Sequence, residues 1–191
     1  GSGGITNNIT INTSGTITIG KLDYYTGTLT RVSGGTVNVT AATTLRLAAS
    51  CTLDTPGISW VNITISSATQ NTVINSLLIA TGTVTMSGAS VAQSFTGTAG
   101  FTFANLVLTQ TATGSLTLTQ GNTYTVTSSF TNSGSTGSGK LTLISSSATL
   151  QVIFTLNPGA TCAVGYLNAT RIDSSGGRTI RTFGSNTLTT T

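Results

Sequence analysis

The sequence predicts an all-β fold, a single-stranded parallel β-solenoid (β-helix) with coils of roughly 20 residues. Three observations predict it: apolar and polar residues alternate in many short runs, threonine and serine supply 44 and 23 of the 191 residues, and one stretch recurs 43 positions later. Threonine is β-branched, which suits a pleated surface and suits a helix interior poorly. Composition and alternation therefore favour the same class of structure.

The candidate strands are short runs in which every second residue is apolar, which is typical of strands with one buried face. In chain order, their apolar positions are Ile9/Ile11, Ile17/Ile19, Val37/Val39, Leu45/Leu47, Val84/Met86, Leu116/Leu118, Tyr124/Val126, Leu141/Leu143 and Leu150/Val152/Phe154. Glycine-bearing turns separate the runs, and two turns carry proline, DTPG at 54–57 and NPG at 157–159. Proline sets the bend there, and glycine accepts a positive φ.

The internal repeat favours a solenoid over the alternative, an antiparallel β-sandwich. WVNITI at 60–65 is answered by FANLVL at 103–108, and this spacing equals about two coils of roughly 20 residues. Parallel sheets usually have continuous apolar runs, so alternation predicts that the outer face of each strand lies in water. Asn62 and Asn105 take equivalent positions, which makes them candidates for a hydrogen-bonded amide ladder. Chance recurrence in an Asn-rich chain is the alternative.

The two cysteines give an independent prediction. Cys51 and Cys162 are 111 residues apart, which in such a solenoid is about five coils, on the order of 24 Å at strand spacing. A disulfide requires Cα atoms within about 7 Å. We therefore predict two separate, buried, reduced thiols that act as small apolar core residues, whereas a disulfide between them would favour the sandwich.

Residues that carry chemistry are scarce. The chain has no histidine and no glutamate, so the commonest general base and metal ligand is absent. Asp23, Asp54 and Asp173 are widely spaced, and DTPG and DSSGG are turn sequences, so we interpret these residues as turn formers and not as an acid pair. The sequence therefore predicts no enzymatic activity, no cofactor and no metal site.

KLDYYTG at 21–27 is the most chemically varied segment. Adjacent residues on a strand point to opposite faces, so one of its two tyrosines would be buried and the other could stack on a sugar ring. Tyr24 and Tyr25 are therefore the candidate glycan contacts.

Charge and hydropathy exclude two classes of partner. Charged residues make up 5% of the chain, and the net charge of +4 reflects the scarcity of acids. There is no Lys/Arg run of the kind that binds nucleic acid and no apolar run of membrane-spanning length, so we predict neither nucleic acid nor membrane insertion. We expect residues 1–191 to form one solenoid domain, a fragment or mature piece of a longer chain, with residues 1–4 a linker or tag remnant.

Several segments resemble a known group of proteins. WVNITI…GTVTMSG and FANLVLTQ…GSLTLTQG…YTVTSSF are similar to the Thr/Gly/Asn-rich β-helical repeats of phage tail-fibre and other virion proteins and of bacterial surface adhesins. CAVGYLNATRIDSSGGRTIRTFGSNTLTTT, residues 162–191, resembles a C-terminal coil of such repeats. The resemblance implies an extracellular β-solenoid in a virion or on a bacterial surface, and it brings no catalytic residues.

The terminal coils of the predicted solenoid give the basis for a functional hypothesis. Terminal coils present unpaired backbone groups and apolar residues that something must cover. The sequence shows no amphipathic capping helix, so we expect self-association or contact with other subunits of the same assembly. A structural or adhesive virion element, a fibre or decoration protein, is the first hypothesis. The alternatives are a bacterial surface adhesin or self-assembling filament subunit, and a glycan-binding module with a cell-surface glycan as its partner.

Overall fold

The computed structural model describes residues 7–24, 27–32, 34–66, 69–88, 92–110, 113–132, 141–178, 180, 182–183 and 188–189. In these ranges the chain is all-β, without a helix. The strands are Ile9–Ile11 (β1), Thr16–Ile19 (β2), Leu22–Tyr24 (β3), Gly27–Arg31 (β4), Thr36–Val39 (β5), Thr44–Leu47 (β6), Cys51–Asp54 (β7), Ser59–Trp60 (β8), Asn62–Ile65 (β9), Thr69–Ile74 (β10), Leu78–Gly88 (β11), Ala92–Thr96 (β12), Phe101–Gln110 (β13), Gly114–Leu118 (β14), Thr123–Asn132 (β15), Leu141–Ser145 (β16), Val152–Leu156 (β17), Thr161–Gly165 (β18), Leu167–Thr170 (β19), Ile172–Asp173 (β20), Thr182–Phe183 (β21) and Leu188–Thr189 (β22).

The strands form three parallel sheets. A nine-stranded sheet has the order β1-β4-β7-β10-β12-β14-β16-β19-β22. An eleven-stranded sheet follows the order β20-β17-β15-β13-β11-β9-β6-β3, with β8 beside β11, β18 beside β15 and β21 beside β18. A two-stranded sheet pairs β2 with β5. Every strand pairing among the described residues is parallel.

The order of the sheets shows a chain that winds in one direction. It visits the nine-stranded sheet once per turn, and each turn takes about 23 residues. The predicted parallel β-solenoid is confirmed, the coil is slightly longer than the predicted 20 residues, and the antiparallel sandwich is wrong. Trp60 and Phe103 both register with Ala80, so the two halves of the repeat lie two coils apart, as their spacing predicts.

A bend in three long strands forms one corner of the coil. The early coil has separate strands β8 and β9, whereas β11, β13 and β15 continue through both positions. The pairing of β11 with β13 shifts register between Ala80 and Thr83, and the pairing of β13 with β15 shifts between Phe103 and Asn105. A local irregularity of this kind turns a strand without ending it.

The core is a column of apolar side chains enclosed by the coils. In the eleven-stranded sheet one registered row of residues runs through Leu22, Leu45, Ile63, Val84, Leu106, Phe130 and Cys162. The members from Leu45 to Phe130 are fully buried. Intervening residues of the strands face water, which explains why parallel strands here alternate in polarity.

Aromatic rings fill the middle of this column. The ring centroid of Phe95 lies 5.5 Å from that of Phe101 and 6.2 Å from that of Tyr124. Phe101 and Phe103 stack at 4.0 Å. Rings at these separations add specific attraction to the burial of a large apolar area.

Both proline turns are held by arginines of neighbouring coils. The Arg31 guanidinium donates to the carbonyl oxygens of Pro56 (2.7 Å), Gly34 and Gly35. The Arg178 guanidinium donates to the carbonyl of Ala160, beside the second proline turn. A guanidinium has five donors in a fixed plane, so one side chain can satisfy carbonyls from two coils.

One predicted strand position differs from the structure. Leu150 was expected to share an inward face with Val152 and Phe154, but it precedes β17 and is 54% exposed. Ser147 Oγ accepts hydrogen bonds from the backbone N–H groups of Thr149 and Leu150. This local turn satisfies the backbone before the strand begins, so the alternation starts two residues late.

Candidate functional site

The solvent side of the nine-stranded sheet carries a network of hydroxyls and amides. Asn71 Oδ1 accepts hydrogen bonds from Ser94 Oγ and Thr96 Oγ1, each at 2.9 Å, and both residues belong to the following coil. The Asn71 N–H donates to Ser50 Oγ of the preceding coil at 2.9 Å. Asn71 thus connects three coils and has one fixed amide orientation.

A second polar cluster lies at the bent corner of the eleven-stranded sheet. Asn62 Oδ1 accepts a hydrogen bond from the Thr83 N–H at 2.9 Å, and Asn105 Nδ2 donates to the Gly82 carbonyl at 3.3 Å. The two amides therefore hold opposite sides of the single peptide bond between Gly82 and Thr83. They lie on alternate coils with Thr83 in register between them, so each amide bonds to the intervening backbone.

Glycine is required inside this corner. A Cβ at Gly82 would lie 2.6 Å from Asn62 Oδ1 and 2.7 Å from the Val61 carbonyl oxygen. The Gly82 N–H donates to that same carbonyl at 2.7 Å. The close approach of the two coils here thus depends on the missing side chain, as is usual for glycine at such bends.

Asn62 accepts a hydrogen bond and Asn105 donates one, so the same Asn→Asp substitution should affect stability differently at the two positions. Asn62→Asp keeps the acceptor that the Thr83 N–H needs, so we expect its free energy of unfolding to stay within about 0.5 kcal/mol of the parent. Asn105→Asp replaces the donor with a carboxylate facing the Gly82 carbonyl, and we expect a loss of roughly 1–3 kcal/mol. Urea unfolding at pH 7 measures both values. Equal losses in the two variants would contradict the assigned hydrogen bonds.

The candidate sugar contacts lie at the start of the solenoid. Tyr24 is the last residue of β3, and its backbone registers with Leu47 of the next coil. Tyr25 lies outside the described residues. The glycan contact proposed for these tyrosines stays a prediction.

The three carboxylates are dispersed. Asp23 is in β3 and Asp173 in β20, which stand at opposite ends of the eleven-stranded sheet, and Asp54 is in the nine-stranded sheet. Asp173 Oδ1 accepts a hydrogen bond from the Ser175 N–H at 2.9 Å, and hydrogen bonding from Ser175 lowers the pKa of its carboxyl. The described part of the chain contains no group of three or more His, Cys, Asp or Glu side chains arranged to hold a metal ion.

The cysteines are separate, as predicted, because Cys51 lies in the nine-stranded sheet, Cys162 lies in the eleven-stranded sheet, and no disulfide joins them. Cys51 is buried, and this burial raises the pKa of its thiol to about 12 against a weaker opposing effect of the Thr72 hydrogen bond. The prediction that both thiols are buried is wrong for Cys162, which is half-buried. Among the described residues, the next strand, β21, pairs with β18 only from Val164 onward, so Cys162 has less cover.

Comparison of the chain with protein-family models, with curated proteins and with solved structures finds no match. In the described ranges, no helix has the length and apolar character needed to cross a membrane.

Residues such as Ser50, Asn71 and Gly82 were missed by the sequence analysis. Ser50, Asn71 and Ser94 recur at intervals close to one coil, and they share the solvent side of one sheet. A search for polar residues at a period of about 23 would have placed them together, whereas the alternation of apolar residues gives no information about solvent-facing positions.

Proposed function

We propose that the protein is a non-enzymatic structural or adhesive element of an extracellular assembly, a fibre or decoration protein of a phage virion. It would act by stacking on a neighbouring subunit at the end of its solenoid. A β-solenoid with few charges and a surface rich in hydroxyls and amides supports this proposal, as does the resemblance of its repeats to those of virion proteins.

The incomplete cover of the first coil carries the proposal. Ile9 and Leu22 are only partly buried, whereas Leu29 and Leu45, their partners in the next coil, are fully buried. Ile17 and Ile19 of β2 are also partly buried, as are their partners Val37 and Val39 in the next coil. Within the described residues, β1, β2 and β3 each pair on one side alone. In the part of the chain that the structure describes, this coil therefore has partly exposed apolar side chains and strand edges without a neighbouring strand, which are the features through which strands join another chain.

Scarce charge favours close contact between copies. Only 10 of the 191 residues carry a charged side chain at neutral pH. Electrostatic repulsion between subunits is correspondingly weak, and proteins with little charge associate more readily.

The direction of the stack favours a fibre. Every described strand pairing is parallel, so the two ends of the solenoid differ. Continuing the pattern requires the first coil of one copy to meet the last coil of another. Such a head-to-tail contact uses two different surfaces and gives an open linear array when rotation does not close it into a ring.

The experiment is sedimentation velocity of the purified chain over a wide range of concentrations. We expect the weight-average sedimentation coefficient to rise with concentration and electron microscopy to show linear particles. The double variant Ile17→Lys/Ile19→Lys places charge at the open edge, and we expect it to remain monomeric. Far-UV circular dichroism checks that this variant keeps its β-structure.

The matched control is Thr117→Lys, which adds charge on the solvent side of β14 in the middle of the solenoid. We expect it to associate like the parent. A monomer at every concentration, or equal association of the edge variant and the parent, would be evidence against stacking at the first coil. Compact closed particles would argue against a fibre.

A further inference from the structure

A depression of about 290 Å³ opens on the solvent side of the nine-stranded sheet, across β4, β7 and β10. Its lining includes Gly27, Thr28, Ser50, Thr52, Asn71 and Val73. Gly27, which has φ 103°, lies where β4 begins and registers with Cys51 of β7. The volume is at the lower end of the range for small-molecule sites.

Two side chains that line this depression, Asn71 and Ser50, carry hydrogen-bond donors. Asn71 Oδ1 is turned toward Ser94 and Thr96 of the following coil. Because Oδ1 bonds to the following coil, the amide nitrogen is the group of this lining side chain that can donate to a ligand. Ser50 Oγ accepts the Asn71 N–H, which leaves the Ser50 hydroxyl proton available to donate.

The rest of the lining selects the class of ligand. Among the described residues, no charged side chain lines the depression, so a charged ligand would lose hydration without compensation. Thr28 and Thr52 supply hydroxyls that donate or accept, and the Val73 and threonine methyl groups supply apolar contact. A sugar ring has this combination of hydroxyls and C–H faces.

We propose that this depression binds one neutral pyranose unit of a polysaccharide, with the Asn71 amide nitrogen and the Ser50 hydroxyl donating to ring hydroxyl oxygens. The site is independent of the stacking proposed above, because it lies on the side of the solenoid and includes none of the partly buried residues of the first coil.

The test is nuclear magnetic resonance of the ¹⁵N-labelled chain titrated with neutral hexasaccharides of gluco, galacto and manno configuration. We expect at least one of them to shift the Asn71 side-chain amide and the backbone amides of Gly27 and Thr52. A hexasaccharide of galacturonate, which is acidic, should cause no such shifts. Equal shifts with the acidic probe, or none with all three neutral probes, would overturn the proposal.

Variants separate binding from folding. Asn71→Asp keeps the acceptor for Ser94 and Thr96 and removes the two N–H donors, so the fold should persist while the dissociation constant rises at least about fivefold. Thr52→Val, which keeps the shape of the side chain, should weaken binding less. Thr117→Val lies on the same sheet outside the depression and should bind like the parent. Unchanged binding by a folded Asn71→Asp variant would also overturn the assignment.

Discussion

Replacing Gly97 with alanine is expected to reduce the free energy of unfolding by about 3 kcal/mol or more. Gly97 has φ 103°, a conformation that side chains with a Cβ rarely adopt. Its added Cβ would also meet the backbone of Ile74 in the preceding coil, at 2.7 Å from the nitrogen and closer still to the carbonyl oxygen. Backbone cannot move aside without breaking the cross-coil bond from the Ala99 N–H to the Ile74 oxygen.

Alanine substitutions at two other glycines separate the energetic cost of the positive φ from that of the steric contact. Gly121 has φ 86° but no neighbouring atom within 4 Å of an added Cβ, so Gly121→Ala should show the conformational cost alone, about 1–2 kcal/mol. Gly159 has neither constraint, so the expected positive φ is wrong for the second proline turn, and Gly159→Ala should be nearly neutral. Urea unfolding of the three variants should rank the losses as Gly97, Gly121, Gly159. A Gly97→Ala variant as stable as Gly159→Ala would mean that the coils do not approach here as described.

Replacing Phe95 with alanine is expected to cost about 3–5 kcal/mol. Phe95 is fully buried, and its ring neighbours are Phe101, Phe103 and Tyr124 of the eleven-stranded sheet. Removing this ring opens a cavity between the two large sheets and removes the apolar contacts that join them. The surrounding rings are held by strands on both sides, so little collapse into the cavity is expected.

The measurement uses two probes, because coils of a solenoid can unfold separately. Fluorescence of Trp60, the single tryptophan, reports the earlier coils, and far-UV circular dichroism reports all strands. Ile153→Ala is the control, since Ile153 lies on the solvent side of β17 and is 43% exposed; its loss should stay below about 1 kcal/mol. A Phe95→Ala variant no less stable than this control would contradict the enclosed core.

The strands that sequence analysis found are those with apolar residues at each inward position. Leu116 and Leu118 of β14, and Tyr124 and Val126 of β15, are all fully buried, as alternation predicts. Strand β10 escaped detection because its inward residues include Gln70 and Thr72, which are polar and yet buried. A polar residue at an inward position interrupts the pattern, and its hydrogen bonds inside the core cannot be inferred from local sequence.

The polar cluster at the bent corner of the eleven-stranded sheet also could not be predicted in full from the sequence. The repeat placed Asn62 and Asn105 at equivalent positions two coils apart. Sequence did not reveal that Gly82 and Thr83 lie between them, or that one amide accepts a hydrogen bond while the other donates one. These roles depend on the bend at Gly82, which brings a third coil between the two asparagines.

The sequence by itself determined the class of fold, the parallel winding and the approximate length of a coil. Strand alternation and turn residues are properties of the local backbone, and a repeat measures the coil directly. The tertiary structure alone decided the register of each coil, because side chains and backbone groups of neighbouring coils bond across separations that range from 18 to 33 residues. Because the separation varies from coil to coil, the sequence alone does not say whether a residue lies at a corner or within a sheet. The depression beside Asn71 and the burial of each terminal coil therefore depend on contacts that form only when the coils stack.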